Sequence, residues 1–293
     1  MPDESTRVPQ LGFFPEPHAD DLDALVRRVR FADEAGLEVV GVQDHPYQRR
    51  FVDTFALLAH LSALTSRITL MPDVANLPLR GAAMLAKQSA TIDLLSGGRF
   101  ELGLGAGATG EAVAGMGGPR RSPPEALAAL REAIDVVRAL WSTQRGLRVG
   151  GEHYALDGVH GGPPPAHDIG IWVGGYGDRM MRLIGEKADG WVPSMAYLPA
   201  SALAAKSALL EEAATAAGRD PGALRRIYNV GGQITDAVEP REDAVVGPVG
   251  YWADTLLELA DAHRIDTFVL WPSGDVDRQL ELFATRVAPR VRG

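Results

Sequence analysis

The alternation of short apolar runs with segments of helical periodicity is the feature that most constrains this sequence. Val39–Val42 is typical of a buried strand, and Phe100–Leu104 follows a predicted helix over Ala82–Leu95 that ends near Gly97. Eight such strand-then-helix units can be counted along the 293 residues. Alternation predicts a parallel sheet. Eight units favour a (β/α)8 TIM barrel over a doubly wound sheet, which usually has about five or six strands.

Two stretches rich in glycine and proline interrupt this alternation. The first lies near residues 142–167 and includes a predicted hairpin over Leu147–Leu156, and the second lies near residues 231–250. The length alone would also allow two domains of average size. Because the alternation continues on both sides of each stretch, we expect one domain over residues 1–293 with these two stretches as insertions.

Charge and composition exclude several classes of function. A net charge of −9 argues against a general affinity for nucleic acid or anionic membranes, since both need basic patches. The chain has no cysteine, which excludes disulfides, iron–sulfur clusters and thiol catalysis. No apolar run approaches the roughly 18 residues of a membrane span, and the first ten residues are polar. We therefore expect a cytoplasmic protein that binds neither nucleic acid nor membranes.

Two glycine-rich loops follow predicted strands. The strand Phe100–Leu104 continues into Gly105-Ala106-Gly107, and a later strand continues into Gly174-Gly175-Tyr176-Gly177 before Asp178 and Arg179. Glycines at the carboxyl end of a strand let backbone amides approach a phosphate or a planar ligand. The alternative is that each loop is a tight turn. Two such loops in one barrel favour a ligand with a phosphate and a flat ring.

Asp44-His45 follows the second predicted strand, at the end of a barrel where active sites lie. A carboxylate beside an imidazole can position, deliver or withdraw a proton near neutral pH. The alternative is that Asp44 caps a loop and His45 packs beneath Pro46. The histidines lack the spacing of common metal sites, so no metal is predicted. Ser194 lacks the context of a nucleophile elbow, which argues against a serine hydrolase.

These segments, together with Ala188-Asp189-Gly190-Trp191, resemble the bacterial luciferase-like oxidoreductases in the same order along nearly the whole chain. That superfamily of (β/α)8 enzymes uses FMN or the deazaflavin coenzyme F420. The resemblance implies a redox enzyme whose flavin-type ring lies at the C-terminal mouth of the barrel. The pair Asp44-His45 looks like that of the F420-dependent branch, where the histidine lies beside the reactive carbon of the ring.

The resemblance also implies roles for individual residues. Catalytic roles fall on His45, Asp44 and, through the sequence Thr109-Gly110-Glu111, on Glu111. The bulge after the third strand matches a segment that supports the ring, and the two glycine loops match segments that contact the rest of the cofactor. The expected cofactor-binding residues are Asp73, Val74, Ala75, Asn76, Gly105, Ala106, Gly107, Gly174, Gly175, Tyr176, Gly177, Asp178 and Arg179.

We expect hydride transfer between coenzyme F420 and a small organic substrate, by a homodimer. The alternative is an FMN-dependent monooxygenase that uses oxygen, and a remote alternative is a non-catalytic cofactor-binding protein. The protein supplies orientation and electrostatics to such a ring, and Trp172 or Trp271 would bound the cavity. An aldolase would need a buried lysine at a strand end, whereas Lys87, Lys187 and Lys206 fall on predicted helices.

Overall fold

The computed structural model describes residues 8–107 and 110–293. Its strands, in chain order, are β1 Gln10–Phe13, β2 Val39–Val42, β3 Thr69–Pro72, β4 Ala75–Asn76, β5 Leu102–Gly105, β6 Leu147–Val149, β7 Leu156–Val159, β8 Ile171–Gly174, β9 Gly190–Trp191, β10 Arg225–Ile234, β11 Val245–Gly247 and β12 Thr267–Pro272. Its α-helices are α1 Leu22–Glu34, α2 Thr54–Ser62, α3 Leu77–Arg80, α4 Ala82–Ser96, α5 Gly110–Gly115, α6 Pro123–Leu140, α7 Asp178–Lys187, α8 Ala200–Ala216, α9 Val249–His263, α10 Val276–Leu282 and α11 Ala288–Arg292.

The parallel strands form a barrel. The pairing order is β3-β2-β1-β12-β10-β9-β8-β5-β4, where β4 continues β3 after a short bulge. A parallel bridge between Leu70 and Phe100 joins the two ends of this order and brings β3 beside β5. The prediction of a (β/α)8 barrel is therefore confirmed, and its strands and helices alternate as the sequence indicated.

Local signals explain where the helices begin and end. α4 ends at Gly97, whose φ of 71° lies in the left-handed region that glycine adopts without strain. α6 begins with a capping box in which Ser122 and Glu125 satisfy each other's backbone amides, and Pro123 occupies its first turn. The predicted helix from Asp275 to Val287 is interrupted, because a π-helical turn over Phe283–Val287 separates α10 from α11.

The core has two layers, one on each side of the barrel wall. Phe100, Leu102 and Leu104 are fully buried between the wall and the surrounding helices. The inward positions of other strands fill the barrel itself with a second cluster of side chains, which includes Val39, Met71, Trp172, Ile227 and Val269. This apolar plug separates the carboxyl ends of the strands from the amino ends.

The two predicted insertions differ in structure. In the stretch 142–167, β6 and β7 form the expected antiparallel hairpin. In the stretch 231–250, sequence reasoning predicted irregular chain, but β10 extends to Ile234 and pairs in parallel with β11. Gly232 permits this pairing, because a Cβ there would lie 1.9 Å from the Val245 carbonyl oxygen. Glycine in a sequence usually indicates the end of a strand, but Gly232 instead allows β10 and β11 to approach each other closely.

In the described part of the chain, the longest helices are too short or too polar to span a lipid bilayer.

Candidate active site

A cavity of about 660 Å³ opens at the carboxyl ends of the barrel strands. Its volume lies in the range of small-molecule sites. Its walls come from residues that follow β1, β2, β3, β5, β8, β9 and β12, so most of the barrel contributes to it. Of the residues predicted from the sequence, those that line it are Asp44, His45, Asp73, Val74, Ala75, Asn76, Gly105, Ala106, Gly107, Gly174, Gly175 and Tyr176.

Four predicted site residues lie outside this cavity. Gly177, Asp178 and Arg179 are exposed where α7 begins, and the Asp178 carboxylate accepts a hydrogen bond from the Lys206 ammonium at 2.6 Å. Glu111 is exposed on α5 and is not part of the cavity wall. Thr109, which the predicted Thr-Gly-Glu motif includes, lies outside the described residues.

The glycines of the two loops make room for protein side chains as well as for a ligand. A Cβ on Gly105 would lie 2.8 Å from the Val74 Cγ2, and one on Gly174 would lie 3.0 Å from the same methyl group. A Cβ on Gly175 would lie 2.5 Å from the Met180 Cγ. Val74 follows a cis peptide bond after Asp73 and lines the cavity between these two glycines. The glycine walls therefore hold Val74 in place.

The Asp44 carboxylate forms an ion pair with Arg80. Both of its carboxylate oxygens accept hydrogen bonds at 2.6 Å from the Arg80 guanidinium, and Oδ2 also accepts the Asn76 amide N–H at 2.8 Å. Arg80 bonds Asp53 as well and lies over the ring of Phe55. This bidentate geometry fixes the loop after β2 against β4 and α3. It suits a positioning role rather than direct proton transfer, and sequence reasoning missed Arg80.

His45 is half-buried in the cavity wall. The Tyr47 hydroxyl lies 2.7 Å from its Nδ1, so Nε2 is the ring nitrogen left to a ligand. Burial lowers the pKa of His45, and the nearby Asp44 charge opposes this effect only in part. The imidazole is therefore neutral at neutral pH, with one nitrogen able to donate and the other to accept.

Asp73 lies at the floor of the cavity. Burial raises the pKa of its carboxyl from 3.8 to about 7, and a contact with the Asn229 side chain opposes this shift. Asn229, on β10, donates from Nδ2 to the Ser194 hydroxyl at 3.1 Å. Sequence reasoning missed Asn229, because a single amide inside an apolar strand gives no signal in a motif search. A buried polar residue in a barrel strand is the signal that would have found it.

Aromatic rings complete the walls. Trp271, at the end of β12, stacks on Phe14 with ring centroids 4.8 Å apart, and both line the cavity. Trp172 does not bound the cavity, because it is 4% exposed and packs inside the barrel. Tyr176 also lines the cavity, and Tyr197 stands 67% exposed at the rim.

Within the described residues, no group of three or more His, Cys, Asp or Glu side chains is placed to hold a metal ion.

Comparison with known proteins identifies the family. The luciferase-like monooxygenase family matches residues 7–266 of the chain. This protein belongs to that family. The chain is 31% identical over 215 residues to the F420-dependent glucose-6-phosphate dehydrogenase of Kineococcus radiotolerans. It is 32% identical over 238 residues to a phthiodiolone/phenolphthiodiolone dimycocerosates ketoreductase of Mycobacterium bovis. These alignments cover 68% and 78% of this chain and 60% of each relative, so the chain spans less than two thirds of the relatives' length.

Solved structures of other enzymes share the fold. An F420-dependent secondary alcohol dehydrogenase, in complex with an F420-acetone adduct, superposes with a TM-score of 0.85 at 20% identity, covering 97% of this chain and 99% of that one. The oxygenating constituent of 3,6-diketocamphane monooxygenase from Pseudomonas putida, in complex with FMN, superposes with a TM-score of 0.79 at 19% identity, covering 96% of this chain and 98% of that one. The luciferase-like barrel is thus common to enzymes of both cofactors.

Proposed function

We propose that this protein is an oxidoreductase that transfers hydride between coenzyme F420 and a small organic substrate. The observation that carries the proposal is the cavity at the barrel mouth, where a neutral His45 faces a space of about 660 Å³. The F420 dependence in the name of the Kineococcus relative supports the choice of cofactor. The homology covers only part of that relative, so the substrate is assigned here by class alone.

The residues around the cavity fit a flat ring. Phe14, Trp271 and Val74 offer apolar surface, and Gly105, Gly107, Gly174 and Gly175 add stretches of wall without side chains. Buried polar oxygens on Asp73 and Asn76 have no hydrogen-bond partner within the protein. Buried polar groups are usually paired, so unpaired ones at a cavity indicate a ligand with matching polar atoms.

His45 would move the proton that accompanies the hydride. The coenzyme, when bound, supplies or accepts the hydride at its ring, and the protein orients the reactants. When the Tyr47 hydroxyl donates to Nδ1, the imidazole carries its proton on Nε2 and can give it to a substrate oxygen while Nδ1 takes up the Tyr47 proton, so that the ring stays neutral. In the other tautomer Nε2 accepts a proton instead, as substrate oxidation requires. Asp44 holds the loop of His45 through Arg80 and would act as a positioning residue.

The phosphate of the cofactor would lie at the beginning of α7. Gly177 caps this ten-residue helix, and Arg179 is exposed in its first turn with no carboxylate partner among the described residues. A helix N-terminus with an adjacent arginine favours an anion. The catalytic assignment of Glu111 stays a prediction, because the structure does not bring it to the cavity.

Titration of the purified protein with F420 and, separately, with FMN tests the proposal, with ligand fluorescence as the readout. We expect saturable binding of F420 and weaker binding of FMN. Tighter binding of FMN would instead favour the monooxygenase alternative, and binding of neither would overturn the proposed function.

Arg179→Ala tests the placement of the phosphate. This variant should weaken binding of FMN and leave binding of riboflavin, which lacks the phosphate, unchanged. Arg182→Ala on the same helix is the matched control, since Arg182 faces Glu212. Equal weakening of both ligands by Arg179→Ala would contradict the assignment.

We also propose that the protein forms a homodimer. α4 exposes Met84, Leu94 and Leu95 to 56%, 47% and 65%, which is a large apolar exposure for one helix. Light scattering on a size-exclusion column should give twice the mass of the chain. A Leu95→Asp variant should shift the mass toward one chain if this face is the interface, whereas a monomeric wild-type protein would contradict the proposal.

A further inference from the structure

The Asp73 carboxyl is a buried acid at the cavity floor that proton transfer by His45 does not use. Its Oδ2 is buried and has no hydrogen-bond partner. That oxygen packs against Gly41 on β2, where a Cβ would lie 2.8 Å from Oδ2 and 3.0 Å from the Asp73 Cβ. The absence of a side chain at position 41 therefore makes the space in which this carboxyl lies.

The groups around Asp73 give it little charge compensation. β2 contributes Gly41, β10 contributes the neutral amide of Asn229, and the segment after β9 contributes Ser194. The titratable side chains that share the cavity with Asp73 are Asp44, His45, Tyr47, Tyr176 and Tyr197. Arg80 reaches this group of side chains through Asp44, and it is already paired with Asp44 and Asp53.

Protonation of Asp73 changes in the range where the protein would work. Burial raises the pKa of this carboxyl to about 7, so its protonation changes near neutral pH. Burial moves the pKa of His45 down and that of Tyr176 up, in both cases away from 7. Because the Asp44 carboxylate is already paired with Arg80, Asp73 is the cavity group whose charge is most open to change by a ligand.

We propose that Asp73 meets a bound flat ring as a neutral carboxylic acid and donates its O–H to a carbonyl or nitrogen acceptor on the ring edge, so that binding takes up a proton. The inference rests on the proposed function, since the ring is that of F420 or FMN. The Asp73 side chain is still 8% exposed at the floor. A ring that covers it removes the remaining water, and this further desolvation favours the neutral acid.

Proton uptake can be measured without any turnover. Calorimetric titration of the wild-type protein with F420, in two buffers of different ionisation enthalpy, gives the number of protons taken up per site. We expect uptake to approach about one proton at pH 8.5 and to vanish near pH 6. Fluorescence titrations over the same range should show the Kd for F420 rising about thirtyfold from pH 6 to pH 8.5.

Two variants separate Asp73 from other sources of protons. Asp73→Asn keeps the size of the side chain and an N–H donor, so F420 should bind it with a Kd within a few-fold of the wild-type value at pH 6. The number of protons that this variant takes up on binding F420 should fall to the number that the ligand itself takes up. Glu101→Gln is the matched control, because partial burial also raises the pKa of the Glu101 carboxyl to about 7, and Glu101 lies at the opposite end of the barrel. That variant should keep the wild-type uptake.

The outcomes distinguish this inference from the proposed function. Binding of F420 without proton uptake, with proton release, or with the same uptake in Asp73→Asn would overturn the role of Asp73 and leave the proposed function standing. Proton release in particular would mean that an ionised Asp73 accepts an N–H from the ring. Binding of neither F420 nor FMN at any pH would overturn both.

Discussion

Each end of the barrel holds a carboxyl group whose pKa is raised to about 7 by burial, but the two carboxyls differ in their partners. At the amino ends of the strands, Glu101 accepts the Gly170 amide N–H at 2.5 Å and lies 3.6 Å from the His167 ring, which in turn bonds Asp93 at 2.8 Å. At the carboxyl ends, Asp73 has one oxygen without any partner. Glu101 is therefore paired within the protein, whereas Asp73 keeps an oxygen that only a ligand could pair.

This difference indicates that the polar groups at the amino ends of the strands stabilise the fold, whereas those at the carboxyl ends are available to a ligand. At the amino end, Arg225 joins three neighbours, because its guanidinium bonds Asp266, Gln10 and Thr267. At the mouth, the acceptor oxygens of Asn76 and Asn229 are buried and unpaired, like that of Asp73. A fully satisfied polar network rigidifies a structure, whereas unpaired polar atoms cost free energy unless a ligand pairs them.

Removing one imidazole from each end should give the largest contrast. His45→Ala should lower kcat about 10²–10⁴-fold, because it removes the group that moves the proton, with little change in stability. His167→Ala should leave kcat within a few-fold and lower the free energy of unfolding by about 1–3 kcal/mol, because Asp93 loses a buried partner. Steady-state kinetics and urea denaturation of both variants measure this. Equal turnover of His45→Ala and the wild type would contradict the assignment of the mouth.

Asp44→Asn tests whether any part of the mouth is structural. The variant leaves Arg80, whose side chain is 9% exposed, without its buried anion. Loss of one partner of a buried pair costs about 3–5 kcal/mol in the free energy of unfolding. The control is Asp157→Asn in the exposed pair with Arg148, where no measurable change is expected. An unchanged urea midpoint for Asp44→Asn would show that the ion pair does not anchor the loop.

Glu101 should make stability depend on pH. Its carboxyl keeps its proton in the folded protein up to about pH 7, whereas the unfolded chain loses it near pH 4.5. Rising pH between these values therefore favours unfolding, and the free energy of unfolding falls by about 3 kcal/mol on this account. Glu101→Gln should remove this part of the slope in urea melts from pH 4.5 to pH 7.5. Saturating F420 should leave the Glu101 part unchanged while altering the part due to Asp73.

A methyl group at the mouth should have the smallest of these effects. Gly175→Ala places a Cβ 2.5 Å from the Met180 Cγ and should cost about 1–3 kcal/mol of stability. In Gly177→Ala the Cβ meets nothing within 4 Å, so stability should stay close to that of the wild type. Thermal melts of the pair give the difference. Equal melting temperatures would show that Met180 moves aside without cost.

Patterns along the chain predicted the barrel well. Residues Val39–Val42 and Thr267–Leu270 are buried because they lie in the barrel wall, and an apolar run in the sequence indicates a buried segment. Contacts between distant residues are not visible in this way. The pair Asp44–Arg80 joins positions 36 apart, and the β10–β11 pairing depends on how closely Gly232 approaches Val245.

The candidate site was predicted in part for the same reason. Strand ends supplied His45 and Asp73, because the carboxyl ends of barrel strands meet at one mouth. The position of Glu111 depends on the path of the loop before it, which no periodicity encodes. The function and the cofactor depend on molecules other than this chain, so the sequence alone predicts them only by resemblance. The cytoplasmic location expected from the sequence stays a prediction.

Val74 ties together positions that lie far apart in the sequence. Its methyl groups take the volume in which side chains at Gly105 and Gly174 would otherwise stand. An alanine at position 105 or 174 therefore requires a smaller residue than valine at position 74. A residue larger than valine at position 74 would clash with the backbone of Gly105 and Gly174. Substitutions at the three positions are therefore coupled, and the shape of this part of the cavity wall depends on all three residues together.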